Sequence, residues 1–312
     1  MNYAVPRIAV LLPCYNEEVA IVQTIRGFID ALPTATIYVY DNNSGDRTRE
    51  VAAAAGAIVR TESMQGKGNV VRRMFADIDA DIYVMADGDA TYEAAAAPAM
   101  VARLVDEQLD MVVGARKSEI DEAYRRGHRF GNAMLTGMLA QVFGRTFTDI
   151  LSGYRVFSRR FVKSFPVLSA GFEIETEISV HALELKMPTA EVVTAYAARP
   201  EGSVSKLSTY SDGWRILRTI AMLARFERPL AFFGLIGLIF GLMAIILAVP
   251  LVFTYAQTGA VPRFPTAILA TGLMIVAFLN FFTGLILDTV VRGRREVRRL
   301  AYLQHRAPEP VS

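Results

Sequence analysis

Two carboxylates flanking one glycine, Asp87-Gly88-Asp89, follow directly on the apolar run Ile82–Ala86. At the end of a buried strand such a pair can hold a hard divalent cation, Mg2+ or Mn2+, and leave coordination positions to phosphate oxygens. A cation held there neutralises charge developing on a departing diphosphate. An Asp-x-Asp alone also describes a solvated acidic turn. Two further polar clusters in equivalent places favour a site: Tyr15-Asn16-Glu17 after the run Ile8–Leu12, and Asp41-Asn42-Asn43 after Thr36–Tyr40. Lys67 stands between Gly66 and Gly68, where it either reaches a phosphate or occupies a solvated turn. The segment is no P-loop, for it lacks the second upstream glycine and the Ser/Thr after the lysine. No G-x-G-x-x-G follows the first run, which passes into Pro13-Cys-Tyr-Asn-Glu-Glu18, so a dinucleotide dehydrogenase is excluded.

These clusters need a frame that brings them to one edge. The runs Ile8–Leu12, Thr36–Tyr40, Ala57–Arg60, Ile82–Ala86 and Met111–Gly114 read as short strands. Between them lie helical stretches: an amphipathic one from about Glu18 to Leu32, one ending at Gly56, and one after Gly66-Lys-Gly-Asn69. Alternation of apolar strands with helices predicts an α/β fold, a mostly parallel sheet with flanking helices. Ligands of such sheets bind outside the carboxyl ends of the strands, where the three clusters fall.

Composition narrows the rest. The chain has 312 residues, 53% of them hydrophobic and 21% charged, with a mean hydropathy of +0.30, which excludes a disordered protein. A formal charge of +2 gives no reason to expect a nucleic-acid partner. One cysteine (Cys14) and three scattered histidines (His128, His181, His305) exclude a disulfide framework and a Cys- or His-built metal site, so metal ligands are expected to be carboxylates.

The hydrophobic excess is concentrated in Ala231–Phe253, 23 residues without charge, and Thr266–Val291, 26 residues with one acid. As helices of about 34 Å or more, both are long enough for a bilayer core of about 30 Å. Arg215, Arg218, Arg225 and Arg228 precede the first, and Arg292, Arg294, Arg295, Arg298, Arg299 and Arg306 follow the second, whereas the connecting loop carries only Arg263. This asymmetry predicts a membrane hairpin with both termini cytoplasmic, and the Met1 end has no signal-peptide pattern. Asn280 is expected to hydrogen-bond between helices, and Asp288 to pair with Arg292 four residues on. Tyr124–Phe147 and Asp212–Phe226 mix arginines with apolar residues at helical spacing, as surface-lying or ordinary core-facing helices do. The expected organisation is a cytosolic catalytic domain over 1–210, a juxtamembrane amphipathic helix over 211–230, two spans within 231–291 (about 231–253 and 266–291) and a basic tail over 292–312.

Pro13-Cys-Tyr-Asn-Glu17, Asp41-Asn-Asn-Ser44 with Asp46, Asp87-Gly-Asp89, Gly114-Ala-Arg116 and Ser152-Gly-Tyr-Arg155 together resemble the motif series of family 2 (GT-A) glycosyltransferases. Phe172-Glu-Ile-Glu175, Arg199-Pro-Glu-Gly-Ser-Val-Ser-Lys206 and the two apolar segments narrow the resemblance to polyprenyl-phosphate glycosyltransferases, bacterial relatives of dolichyl-phosphate mannose synthase. The resemblance covers nearly the whole chain and implies a GT-A (Rossmann-like) catalytic domain. It assigns Pro13, Tyr15, Glu17, Asp41 and Asn43 to the nucleotide, and matches Asp87 and Asp89 to the metal–diphosphate pair, with Asp89 the direct ligand. It assigns Arg116, Arg129, Arg199, Ser205 and Lys206 to the acceptor phosphate. Asp149 stands where the family carries an acid that orients acceptor or metal, a structural role being the alternative. Glu173 and Glu175 remain open, since a helix there could simply expose them to solvent.

What the resemblance implies is a metal-dependent, inverting hexosyltransferase of the bacterial inner membrane. It would move one hexose, N-acetylglucosamine first and glucose next, from a nucleotide diphosphate sugar to polyprenyl (undecaprenyl) phosphate for cell-envelope glycan modification. Alternatives are a GDP-mannose-dependent enzyme, a processive polysaccharide synthase and a non-catalytic scaffold. The processive synthases usually carry Gln-x-x-Arg-Trp, absent here because the single tryptophan, Trp214, follows Gly213. A homo-oligomer is compatible with the sequence.

Overall fold

In the computed structural model, which describes residues 6–118, 137, 147–171, 173–197, 225 and 228–308, the first apolar run becomes strand β1 (Ile8–Cys14). It is flanked in parallel by β2 (Thr36–Asp41) and β4 (Ile82–Met85), and β3 (Ile58–Thr61) extends the sheet beyond β2. Helices α1 (Ile21–Ala31), α2 (Thr48–Ala54), α3 (Lys67–Asp77) and α4 (Ala97–Asp106) follow the first four strands in turn, α4 through a short 3-10 turn at Ala94–Ala96. Ile21, Ile25 and Phe28 recur at helical spacing on α1 and bury against Val10, Leu12 and Val39.

Beyond β4 the chain departs from strict alternation. Strand β5 (Met111–Ser118) is longer than the apolar run Met111–Gly114. Two strands, β6 (Arg155–Ser158) and β7 (Thr189–Tyr196), have no counterpart in the hydropathy reading. The order is β3-β2-β1-β4-β6-β5-β7, with β6 antiparallel to both neighbours and β7 parallel to β5. The sheet is therefore mixed but mostly parallel. Reversal of β6 is what brings Asp149–Tyr154, the lead into that strand, to the carboxyl edge of β4 and β5. Helices α5 (Arg159–Ser164) and α6 (Ile174–Glu184) stand between β6 and β7.

Two helices complete the chain: α7 (Pro229–Thr258) and α8 (Phe264–Leu303). The runs 231–253 and 266–291 lie inside them, and α8 continues without a break through the basic residues as far as Leu303. Their most apolar 18-residue windows have mean hydropathies of 2.8 and 2.0, and only 17% of each window is buried. Besides Pro229 at the start of α7, the residues they bury follow a seven-residue repeat of mostly small side chains: Gly237 and Ala244 on α7, and Ala270, Ala277, Gly284 and Val291 on α8. A Cβ added at Gly237 would lie 2.8 Å from the carbonyl oxygen of Ala277, so glycine permits the close approach of the helices. Asp288 pairs with Arg292 at 3.0 Å, as expected. Asn280 departs from expectation, because its Nδ2 donates to the Val276 carbonyl of its own helix at 2.8 Å. An i−4 carbonyl one turn away takes one of the amide's two N–H donors.

The chain divides into two compact units, one of Met1–Ile216 with Arg298–Ser312 and one of Leu217–Val297. Within the first unit, the end of α8 packs on the α/β fold. Arg298 Nη1 donates to Glu184 Oε2 at 2.5 Å, and the Tyr302 hydroxyl donates to Asp110 Oδ2 at 2.9 Å.

Candidate functional site

At the carboxyl edge, Cys14 and Asp41 stand opposite each other in the β1–β2 register, so the loops after them meet at once. Ser44 Oγ accepts from Asn16 N at 2.8 Å, Asn16 Oδ1 accepts from Gly45 N at 2.8 Å, and Thr48 Oγ1 accepts from Glu17 N at 2.9 Å. Asn16 and Asn43 hold left-handed backbone conformations (φ 52° and 64°), which asparagine tolerates better than most residues. Asn42 ties the second loop to the lead into α3, donating to the carbonyls of Glu62 and Met64 and accepting from Gly66 N at 2.7 Å.

Asp41 is fully buried at this edge. Its Oδ2 accepts from Ser44 N at 3.1 Å, whereas Oδ1 is buried without a hydrogen-bond partner. An orphaned buried carboxylate oxygen costs free energy unless a ligand satisfies it. At the end of β1 and in the loop after it, Pro13 and Glu17 are buried and Tyr15 is exposed.

The acids after β4 have different surroundings. Asp89 is buried, and its Oδ1 accepts from Thr91 N at 3.2 Å and Thr91 Oγ1 at 2.6 Å. The Asp87 side chain is 30% exposed and takes the Lys67 ammonium on Oδ1 at 2.5 Å. A Cβ at Gly153 would lie 2.8 Å from Asp87 Oδ2, so the glycine of Ser152-Gly-Tyr-Arg155 is the floor on which this carboxylate rests. Among the described residues no three His, Cys, Asp or Glu side chains converge to enclose a metal. The two acids with the cradle left by Gly153 therefore suit a cation that brings its other ligands, phosphate oxygens and waters, with it.

Lys67 is held more tightly than either sequence reading suggests. Its Nζ also donates to Glu175 Oε1 at 2.5 Å. The ammonium is thus bonded to two carboxylates. Burial works against its charge, and Asp87 and Glu175 outweigh that, so its pKa is raised. Glu175 is buried on α6, not solvated.

The third cluster centres on Arg116 at the end of β5. Its Nε and Nη2 donate to the two oxygens of Asp149 at 2.7 and 2.8 Å, a bidentate pair, and the guanidinium lies over the Tyr196 ring 5.5 Å from its centroid. Burial pushes the Asp149 carboxyl up, but the hydrogen bonds and charge of Arg116 outweigh it and hold the group below its usual value. Glu191 on β7 accepts from Thr148 N at 2.7 Å and Asp149 N at 3.3 Å and so fixes this loop. Its isolated place in Thr189–Tyr196 gave no sequence signal. Arg155 is a structural member of its motif. It is fully buried, burial lowers its pKa to about 10, and it donates to the carbonyls of Ile150, Ser152 and Glu175. Arg129, Arg199, Ser205 and Lys206 lie outside the described residues, as does the greater part of the segments 124–147 and 212–226.

The fold recurs in solved proteins. The structure matches glucosyl-3-phosphoglycerate synthase from Mycobacterium tuberculosis with a TM-score of 0.57 and 23% sequence identity, over 70% of this chain and 79% of that one. The same synthase, crystallised with Mn2+, UDP-glucose and phosphoglyceric acid, matches with a TM-score of 0.56. The catalytic unit is thus a GT-A-like fold. In sequence, the glycosyl transferase family 2 profile matches residues 9–165. Glycosyltransferase AglJ of Haloferax volcanii is 38% identical over 232 residues, 74% of this chain and 76% of the relative. Dolichyl-phosphate hexose transferase of the same organism is 26% identical over 227 residues, 73% of this chain and 98% of the relative. The chain belongs to glycosyl transferase family 2.

Proposed function

We propose that this glycosyltransferase moves a single hexose from a nucleoside diphosphate sugar to a polyprenyl phosphate at a membrane. N-acetylglucosamine is the first donor sugar to test and glucose the second. The observation that carries the acceptor class is that α7 and α8, each long enough to cross a bilayer and only 17% buried in their most apolar windows, share a chain with a family 2 domain. Helices of a soluble core bury most of that surface; these leave it to lipid. The basic residues flanking them support a cytoplasmic catalytic domain in a bacterial inner membrane. The relative named dolichyl-phosphate hexose transferase, spanned over 98% of its length, supports the same acceptor chemistry.

The residues suit the reaction. The partnerless Asp41 Oδ1 would accept a hydrogen bond from the nucleoside, in the crevice where Pro13, Tyr15, Glu17 and Asn43 lie. Asp87 and Asp89 would hold Mg2+ or Mn2+, which when bound stabilises the leaving nucleoside diphosphate. Arg116, oriented by Asp149, would receive the acceptor phosphate together with Arg129, Arg199, Ser205 and Lys206. A phosphate monoester is largely dianionic at neutral pH, since its second pKa is about 6, and needs little help from a general base. The difficulty is bringing it to an anionic donor, which arginines held in place offset. A single displacement at the anomeric carbon inverts it.

The test is to incubate the detergent-solubilised chain with undecaprenyl phosphate, Mn2+ or Mg2+ and a panel of labelled nucleotide sugars. Lipid-extractable label from one donor supports the reading, and no label from any donor rejects it.

A further inference from the structure

Three segments meet at Lys67. The N-terminus of α3 donates from Gly68 N and Asn69 N to the Ala170 carbonyl at 3.0 and 3.3 Å. A side chain at Gly68 would collide with the carbonyls of Ser169 and Ala170. The Glu177 carboxylate on α6 accepts from Leu168 N and Ser169 N, both at 2.8 Å. Of the backbone amides that would make Gly66-Lys-Gly68 a phosphate cradle, Gly68 N is therefore engaged by the 168–170 loop and Gly66 N by Asn42, and the motif serves as a seam between α3 and that loop. Across that seam the Glu175 carboxylate meets the Lys67 ammonium, and Arg155 and Ser179 fix the Glu175 carbonyl at 3.1 and 3.0 Å.

Two cations meet two carboxylates at this junction: Lys67 lies between Asp87 and Glu175, and the buried Arg155 guanidinium also feels the Glu175 charge. Lys67 carries one positive charge between two carboxylates, and its side chain is only 9% exposed, as is Glu175 at 7%. Asp87, with its side chain 30% exposed, is the more open partner. Without Glu175, the full ammonium charge would fall on Asp87, and the Asp87/Asp89 pair would present about half its negative charge to a divalent cation.

We propose that Glu175 is a positioning residue that holds and neutralises the Lys67 ammonium, so that Asp87 keeps its charge and place for the metal–diphosphate of the donor. This rests on the reading of Asp87 and Asp89 as the metal pair. Glu175 does not touch the donor; it acts through Lys67.

The experiment titrates Mn2+ into the full solubilised chain, with and without UDP, and reads free Mn2+ by electron paramagnetic resonance. Glu175→Gln leaves Lys67 uncompensated, and Mn2+ affinity is expected to fall about tenfold, the effect of one nearby charge at a partly buried site. The double variant Lys67→Met with Glu175→Gln removes one charge of each sign, and its Mn2+ affinity should return to within about threefold of the parent. A merely structural role for Glu175 would not produce that recovery. Unchanged affinity in Glu175→Gln, or a double variant as weak as the single one, overturns the proposal. If Glu175→Gln does not fold, a double variant that binds Mn2+ about tenfold more weakly than the parent still overturns the proposal. Should the parent bind Mn2+ with these responses yet transfer no sugar to polyprenyl phosphate, the functional reading fails and this inference stands. Sugar transfer by the parent, with a Glu175→Gln affinity like the parent's, upholds the functional reading and rejects this inference. A parent that binds no Mn2+, with or without UDP, rejects this inference and leaves the functional reading to the transfer assay.

Discussion

Arg116 grips Asp149 with two parallel hydrogen bonds of 2.7 and 2.8 Å, and the pair is largely withdrawn from solvent, with side-chain exposures of 14% and 10%. The arginine assigned to an anionic acceptor is thus already oriented by an acid of the chain. Lysine keeps the charge but cannot reproduce the planar fork. Arg116→Lys is expected to lower sugar transfer at least about tenfold with the overall fold retained, measured as initial rate beside a circular dichroism spectrum. Parent-like transfer would show that the fork is dispensable.

Removing the partner instead should affect folding. Because Arg116 holds the Asp149 pKa below its unfolded value, the pair stabilises the fold above the unfolded carboxylate pKa of about 3.9, and that stability is lost as pH falls through the lower folded value. Arg116→Ala removes the bidentate partner of a mostly buried carboxylate and is expected to lower stability at pH 7 by about 1.5–3 kcal/mol. Chemical denaturation of the parent and variant measures this, and the difference should narrow toward pH 4 and below.

His181 governs a second pH dependence. It is buried on α6 against Phe161 and Phe165, with Ser164 Oγ 3.2 Å from Nε2 and no partner on Nδ1. Burial lowers its pKa to about 3. The unfolded chain, with an imidazole pKa near 6.5, then binds a proton that the folded chain refuses, so stability falls as pH drops below about 6.5 and continues to fall to about pH 3. The slope is at most about 1.4 kcal/mol per pH unit from this one group. Melting temperatures between pH 7 and 4.5 should decline less steeply in His181→Gln than in the parent.

Much of this was readable in the order of residues, and the reasons differ by element. Strands β1, β2 and β4 are buried apolar runs, and the polar clusters after them had to reach the carboxyl edge once the sheet was parallel. Strands β6 and β7 were not legible: Arg-Val-Phe-Ser is too short to show a period, and Thr189–Tyr196 exposes Val193 and Ala195 while burying Thr194. Lys67 was visible as a cation beside glycines, but its partner could not be. Glu175 is 108 positions away, and only the packing of the 168–170 loop against α3 joins them. The clasp between Asp110 and Tyr302 spans a still longer separation, 192 residues.

That clasp predicts that the chain end is part of the catalytic unit. Asp110 is fully buried and accepts from Ser158, Arg160 and Tyr302, and Glu184 is buried against Arg298. Asp110 and burial together raise the Tyr302 hydroxyl to about 12, so it remains a donor at physiological pH. Arg298→Ala removes an ion-pair partner of the buried Glu184 and is expected to cost more than Tyr302→Phe, which should cost about 1.5–3 kcal/mol. Thermal melting of the two variants checks the ranking.

The most direct measurement of the central claim weighs both products. Mass spectrometry of the lipid extract should show undecaprenyl phosphate heavier by one hexose or one N-acetylhexosamine, with nucleoside diphosphate released in equal amount, and Asp89→Ala should abolish both. Nucleoside monophosphate as the released product, a lipid carrying several sugars, or undiminished transfer by Asp89→Ala would contradict the account.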